Sequence, residues 1–482
     1  PNQTPIVIAK IHDSSLTPPL SQALELLRPD SETTRCMEVC MCRQLAMLVI
    51  LGTSLGWNTA ADAADTDAGA NTGRQTFLKE MKKKAPAARV AAVEAFGKFP
   101  LTGDNLETLI KKGLADLDPT VRVATREALR EIGKVPESNR ILTEEFKRYL
   151  KKQSNEEILS GLLGGMIAAS DKAQQDEVIR LLDDYLASPK GHLIVPISLI
   201  DDLGQQGGID AVNSIILLTK AKPFGTTFGY RRCVVQAMSR IREPAAIGFL
   251  IDMLPETQGL IQADIVQHLT KTTKQKFKDN DRDWTQWWKD NQAAFQVPPL
   301  GGPGEEPVDL NQTTYYGIPI CAKRIVFVLD TSLSMRGQPM ESAKLALLKT
   351  VESLPEAVSF DIVMFDQTPA VWQPRLLPAT LPVKQMAAQS VMARGMKIGT
   401  ASHAALNAAF NLEPEVIYFL SDGEPTDGQP AQIVESMSER NRTRRITIHT
   451  IGVVTQRGGG AGLTFFMKPL AENNFGSFRL VE

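Results

Sequence analysis

The stretch RIVFVLDTSLS, residues 324–334, decides the fold of this chain. Arg324 to Leu329 is a short, continuous apolar run rich in branched and aromatic residues, the pattern of a strand buried on both faces of a parallel sheet. Asp330 follows at once, and Ser332 and Ser334 stand in the loop beyond it. A second run, VIYFLS from Val416, delivers Asp422 in the same way. Ligands of α/β sheets bind outside the carboxyl ends of the strands, so both acids and both hydroxyls are brought to one edge. Two neighbouring carboxylates repel unless a cation lies between them, and hard oxygen donors suit Mg²⁺, Mn²⁺ or Ca²⁺ rather than zinc. Taken alone, DTSLS reads equally as a helix N-terminal cap.

Working outward, the patterning predicts a helix from Gln338 to Leu354, the strand FDIVMF from Phe360 and a strand near Val371. Helices from Val383 and Thr400 follow, then the strand ITIHTIGVV from Ile446, a last helix and the closing strand GSFRLV. Strand and helix alternating in this way predict a parallel-dominated, doubly wound sheet with helices on both faces.

Three elements occur in order here: DTSLS from Asp330, IGT ending at Thr400, and FLSDGEPTDG from Phe419. Together they resemble the von Willebrand factor A (VWA) family, with DTSLS matching its DxSxS motif, over Cys321 to Glu482. The resemblance implies a Rossmann-like domain with a metal-ion-dependent adhesion site (MIDAS). In it Ser332, Ser334 and Thr400 give hydroxyl oxygens, and Asp330 and Asp422 hold the ion directly or through water. It further implies an ion left short of one protein ligand, Mg²⁺ before Mn²⁺ or Ca²⁺, which a protein partner completes with an Asp or Glu. Glu424, Asp427 and His403 are weaker candidates for contact with that partner. Each has an ordinary reading beside it, since acidic turn residues are common and one His is no ligand set. His449 reads as structural, Gly423 and Gly428 as shaping the loop beside the metal, and Gly458 to Gly460 as a flexible loop.

Upstream, from about residue 75 to 295, helical patterning dominates. PAARVAAVEAFGKF from Pro86 and PTVRVATREALREI from Pro119 align at an offset of 33 residues. Each opens with Pro and carries Arg three residues later. A third, weaker copy starts at Arg231, with a Glu-Pro break before a second apolar helix. These copies resemble HEAT-type repeats, whose helix pairs cannot cover their own apolar faces and therefore stack. Ala91, Ala95, Ala124 and Ala128 are expected where helices approach closely. An irregular helical bundle is the other reading. DRDWTQWWKDN places Trp284, Trp287 and Trp288 near one helix face, as a cap on the last repeat or as a ligand platform.

MCRQLAMLVILGTSLGWNTAADA, from Met41 to Ala63, has a basic head, an apolar centre from Leu45 to Leu51 and a small-residue end. It reads as a secretory signal peptide cleaved near Ala63, which predicts secretion or a periplasmic, cell-envelope location; an uncleaved signal would instead anchor the chain. The expected organisation is a non-functional or mis-called extension at 1–36, the signal peptide at 37–63 and a polar spacer at 64–74. A helical repeat domain at 75–295, a Pro/Gly linker at 296–319 and the VWA domain at 320–482 complete it.

Lys plus Arg number 53 against 55 Asp plus Glu, which gives no electrostatic reason to expect nucleic acid as a partner. Cys233 and Cys321 fall in separate domains and build no disulfide framework or zinc site. The expected function is thus an exported, non-enzymatic, metal-dependent protein-binding protein, of unknown oligomeric state and with no stable membrane span after cleavage. One alternative makes the helical repeats the binding scaffold and the VWA domain secondary. Another is a phosphotransferase of the haloacid-dehalogenase type, but that chemistry requires a second Asp two residues after the first, where this chain has Ser332.

Overall fold

The computed structural model describes residues 63–99, 101–152, 155–169, 171–298, 313–455 and 460–481. The signal-peptide reading at 37–63 and most of the 296–319 linker lie outside the described residues. Residues 68–482 form one compact unit.

Its first part is a helical solenoid. After α1 (Ala63–Glu80) come α2 (Pro86–Phe96), α3 (Gly103–Leu109), α4 (Pro119–Gly133), α5 (Pro136–Lys151), α6 (Glu156–Ile167) and α7 (Lys172–Ala187). They are followed by α8 (Ile194–Gln206), α9 (Ile209–Leu218), the single turn α10 (Pro223–Thr226), α11 (Phe228–Arg240), α12 (Pro244–Met253), α13 (Gly259–Thr273) and α14 (Asp281–Asn291). Helices α2, α4, α6, α8, α11 and α13 touch in succession and form one row, while α7, α9, α12 and α14 touch in a second. The shared apolar interior is what a stack of helix pairs requires.

The 33-residue repeat has a physical basis. Arg89 pairs through two 2.9 Å contacts with Asp116, in the loop before α4. Its counterpart Arg122 donates to the carbonyls of Asp116 and Leu117. Each arginine therefore fastens the turn that joins neighbouring repeats. The expectation for the alanines is half right. Ala124 is buried, but Ala91 and Ala95 are exposed, because α2 buries the stripe Ala92, Val93 and Phe96 instead. Close approach falls to glycines: a Cβ on Gly133 would lie 1.8 Å from the Gly165 carbonyl oxygen.

Two boundaries shift. The stretch expected to be a polar spacer at 64–74 belongs to α1, which Phe77 anchors by stacking on Phe96 at 4.5 Å. The Trp cluster caps the solenoid, with Trp284 fully buried and Trp288 over Gly248 of α12.

The second part is the α/β domain. A hairpin, β1 (Thr314–Tyr315) and β2 (Ile318–Pro319), precedes β3 (Arg324–Asp330). The hairpin falls inside the expected linker, yet Tyr315 is buried against Phe327 and Tyr418, so the packed domain starts before residue 320. Then come α15 (Gln338–Ser353), β4 (Ser359–Phe365), β5 (Pro369–Val371), β6 (Leu377–Pro378), α16 (Leu381–Ala393), α17 (Ser402–Asn411), β7 (Val416–Ser421), α18 (Pro430–Asn441), β8 (Thr447–Val453), α19 (Gly460–Glu472) and β9 (Phe478–Val481).

The sheet order is β5-β4-β3-β7-β8-β9, with β6 also on β4. Strands β4, β3, β7, β8 and β9 are parallel, while β5 and β6 run antiparallel to β4. Along β3, Ile325, Phe327 and Leu329 pack under α15 and α16, whereas Val326 and Val328 face α17, α18 and α19. Burial of each such side chain contributes about 1.5–3 kcal/mol. The chain goes from β3 outward to β4 and returns to the other side of β3 as β7. A crevice therefore opens above the β3/β7 boundary, where strand order reverses.

The opposite end of the sheet docks on the solenoid. Glu415, just before β7, accepts from the amides of Leu260, on α13, and Lys323, each at 3.1 Å. Arg445, just before β8, pairs with Asp201 of α8, and its carbonyl accepts from Arg232 at 2.5 Å. Arg442 reaches Glu156 at 2.8 Å. The ring of Phe475 lies under both Arg232 and Arg445, 5.5 Å from each.

Candidate metal centre

Asp330 ends β3 and Asp422 follows β7, so two adjacent central strands deliver two carboxylates to the crevice. Both are fully buried. Their partners come from the loops. Ser332 and Ser334 place their Oγ atoms 2.8 Å apart, and Ser334 Oγ donates to Asp422 Oδ1 at 2.8 Å. The amide of Ser332 donates to Asp330 Oδ1 at 2.8 Å.

Sequence reasoning missed two further hydroxyls. Ser421 Oγ donates to Asp330 Oδ2 at 2.5 Å, and Thr455 Oγ1 to Asp422 Oδ2 at 3.0 Å. Ser421 was visible in the FLSDG stretch, since the residue before a strand-end acid sits on the neighbouring strand's register. Thr455 carried no signal, because only the alignment of β8 beside β7 brings it near.

The Thr400 loop lies against the first loop through a bridge between Ser332 and Lys397, with Leu333 N donating to Lys397 O at 3.0 Å. Thr400 is buried, and it exchanges two 2.9 Å hydrogen bonds with Thr426: its amide donates to Thr426 Oγ1, and its carbonyl accepts from Thr426 N. Among the described residues no hydrogen bond links its hydroxyl to the other four site residues. Its loop is held by Gly399, whose φ of 98° only glycine adopts readily and whose Cβ would meet Gln367 at 2.8 Å. Gly423 and Gly428, read as the loop-shaping glycines, do not take that left-handed backbone.

Asp427 accepts from the amides of His403 and Ala404 at 3.1 and 2.9 Å, so its carboxylate caps the N-terminus of α17. The amide of His403 is thereby used in the cap. Glu424 is exposed beside the site. His449 stacks on Tyr418 at 5.2 Å, far down the sheet, and burial pushes its imidazole down to about 4.

Burial pushes the Asp330 carboxyl up to about 6, opposed by hydrogen bonds from Ser421 and Ser332 and reinforced by the charge of Asp422. Asp422 is also raised by burial. The site thus concentrates desolvated negative charge with no cationic side chain beside it in any ion pair among the described residues. No group of three or more His, Cys, Asp or Glu is placed to hold a metal among those residues. A cation here would therefore need hydroxyl oxygens beside the two carboxylates, which is the set of hard donors that the crevice supplies. The residues fit such an ion. From Ser334 and Thr455 a cleft of about 510 Å³ opens outward past Tyr316, Leu333 and Arg336.

This fold and this edge define an α/β domain of the class that carries its site at a topological switch point. The von Willebrand factor type A domain family matches residues 323–472, and the chain carries a VWA domain. Over 154 residues it is 34% identical to inter-alpha-trypsin inhibitor heavy chain H1 of Mesocricetus auratus, covering 27% of this chain and 16% of that protein. The human heavy chain H1 is 30% identical over 178 residues, covering 33% of this chain and 19% of the relative. The chain thus spans less than a fifth of the length of these relatives. Among solved structures, a von Willebrand factor type A protein from Catenulispora acidiphila is 20% identical, with a TM-score of 0.30, covering 34% of this chain and 40% of that one. No described helix is long and apolar enough to cross a membrane.

Proposed function

We propose that this protein is an exported, non-enzymatic binding protein whose VWA domain holds a divalent cation, Mg²⁺ first, and captures an acidic residue of a partner protein. Asp330, Ser332, Ser334, Thr400 and Asp422 are the proposed ligands. The observation that carries the reading is the chain of contacts Ser332–Ser334–Asp422 beside Asp330, on adjacent strand ends, with Ser334 at the inner wall of the cleft. With only two carboxylates supplying charge, a bound cation would remain electrophilic toward an outside carboxylate. The relatives carry the same domain type in proteins named as heavy chains of an inhibitor, which supports a role in protein interaction. Export rests on the apolar segment from Met41 to Ala63.

The test is capture of partners from the exporting compartment with residues 64–482 as bait, with Mg²⁺ and with chelator. Partners that appear only with Mg²⁺, and vanish for Asp330→Ala, are expected. An identical set under both conditions would overturn the metal reading and move the binding role to the solenoid.

A further inference from the structure

A second cavity, of about 540 Å³, lies in the solenoid far along the chain from the VWA site, between the C-terminal ends of α4, α6 and α8 and the side of α9. Arg130, in the last turn of α4, lines it. Its side chain belongs to a residue only 7% exposed, and its Nε and Nη1 are buried with no hydrogen-bond partner among the described residues. No other residue leaves two such atoms unsatisfied among those described.

The surroundings explain why Arg130 lacks a partner within the chain. One turn earlier, Arg126 takes the two available acids, Glu157 at 2.7 Å and Asp202 at 2.8 Å. The carbonyls at the end of α6 already accept from other side chains, Met166 from Asn139 and Ala169 from Gln175. Of the two rim lysines, Lys134 lies 2.9 Å from Glu131 and 3.0 Å from Asp210, and Lys220 lies 3.8 Å from Asp176.

Packing does not call for an arginine here. At the 33-residue offset the position matching Arg130 is Gly97, at the end of α2. Gly164 of α6 packs beside Arg130: a Cβ there would meet Leu199 at 3.1 Å, Arg130 Cγ at 3.8 Å and Nη1 at 4.0 Å, so the bare glycine accommodates the arginine side chain. A guanidinium keeps its charge in proteins, and an unpaired buried charge is among the costliest groups a fold can hold. Such a group calls for a partner.

We propose that this cavity binds a carboxylate carried on an apolar body, with the Arg130 guanidinium as its anchor. Ile167, Ala168, Leu203, Ala211 and Leu217 supply apolar wall. The class follows from the balance of charge. A planar guanidinium matches a carboxylate in two parallel hydrogen bonds. A doubly charged phosphate would leave charge unmatched at a single guanidinium, with the acids Glu131 and Asp210 at the rim. The carboxylate could belong to a free acid or to an acidic side chain flanked by apolar residues, and this inference is independent of the metal reading.

The experiment titrates full-length protein with hexanoate, its neutral isostere hexanamide, inorganic phosphate, and the peptide Ac-Leu-Glu-Leu-NH2, reading binding by calorimetry. Hexanoate or the peptide is expected to bind, at least about tenfold more weakly to Arg130→Met, the loss of one charged hydrogen-bonding anchor. The tighter of the two identifies the source of the carboxylate. Without ligand, Arg130→Met should melt no lower than the parent, since only an uncompensated charge is removed. Hexanamide binding as well as hexanoate, phosphate binding tighter than either acid, or no acid binding at all would each overturn the proposal. So would a fall in melting temperature for Arg130→Met with unchanged hexanoate affinity, which would make the arginine structural. The hexanoate–hexanamide comparison stands on the parent protein alone, should the variant fail to fold.

Discussion

Strand β7 has a buried carboxylate just outside each end, and the two are treated differently. Glu415, before its first residue, accepts from two backbone amides, Leu260 and Lys323, that cannot turn away. Asp422, after its last residue, accepts from the hydroxyls of Ser334 and Thr455, which rotate freely about one bond. Burial raises the proton affinity of both. The difference shows how one strand can serve structure and binding together. Fixed donors commit Glu415 to joining the sheet to α13, whereas rotatable donors leave Asp422 and Asp330 able to exchange hydrogen bonds for a cation. Another buried acid, Asp361 within β4, has only the backbone amides of Ile362 and Gln373.

If that contrast is right, substitutions at the two ends of the sheet should separate stability from binding. Asp330→Ala should abolish Mg²⁺ binding, a loss of at least about 100-fold or ~2.7 kcal/mol by calorimetry, with the circular dichroism spectrum retained. Retained affinity would place the cation elsewhere. Glu415→Ala should do the reverse. It strands two buried amides and should cost about 2–3 kcal/mol in urea unfolding while Mg²⁺ affinity stays constant. A parallel fall in affinity would mean that the two ends are coupled through β7.

Ser421→Ala sharpens the comparison further, since it removes only the hydroxyl that orients Asp330 Oδ2. Mg²⁺ affinity should fall by about tenfold, in the range for residues that orient a metal ligand. An unchanged affinity would show that Asp330 needs no such support.

A further contrast is in pH dependence. Burial pushes Asp361 up to about 7, above its ordinary value of 3.8. A raised native pKa means that the folded state binds the proton more tightly, so stability is present at low pH and is lost as pH rises from about 4 through about 7. Asp361→Asn should flatten that part of the denaturation profile. A profile of unchanged slope would show that Asp361 is ionised at no cost.

Much of this molecule could be read along the chain. The apolar runs RIVFVL and VIYFLS, each ending at an acid, led to the parallel sheet because strands buried on both faces leave almost no choice of residue. They also placed Asp330 and Asp422 at the same edge, since parallel strands share a direction. The Pro-initiated copies at Pro86 and Pro119 revealed the stacked helices for a similar reason: the period must recur wherever the same contact recurs. Tertiary structure alone decided the rest. Ala91 and Ala95 lost the tight contacts to Gly133 and Gly165 because the azimuth of a helix on its neighbour is set by packing, which small residues alone do not announce. Thr455 reached Asp422, and Arg130 lost its partners to Arg126, through neighbours more than 30 positions away. A hydrogen bond depends on where two segments meet in space, and no local pattern carries that information.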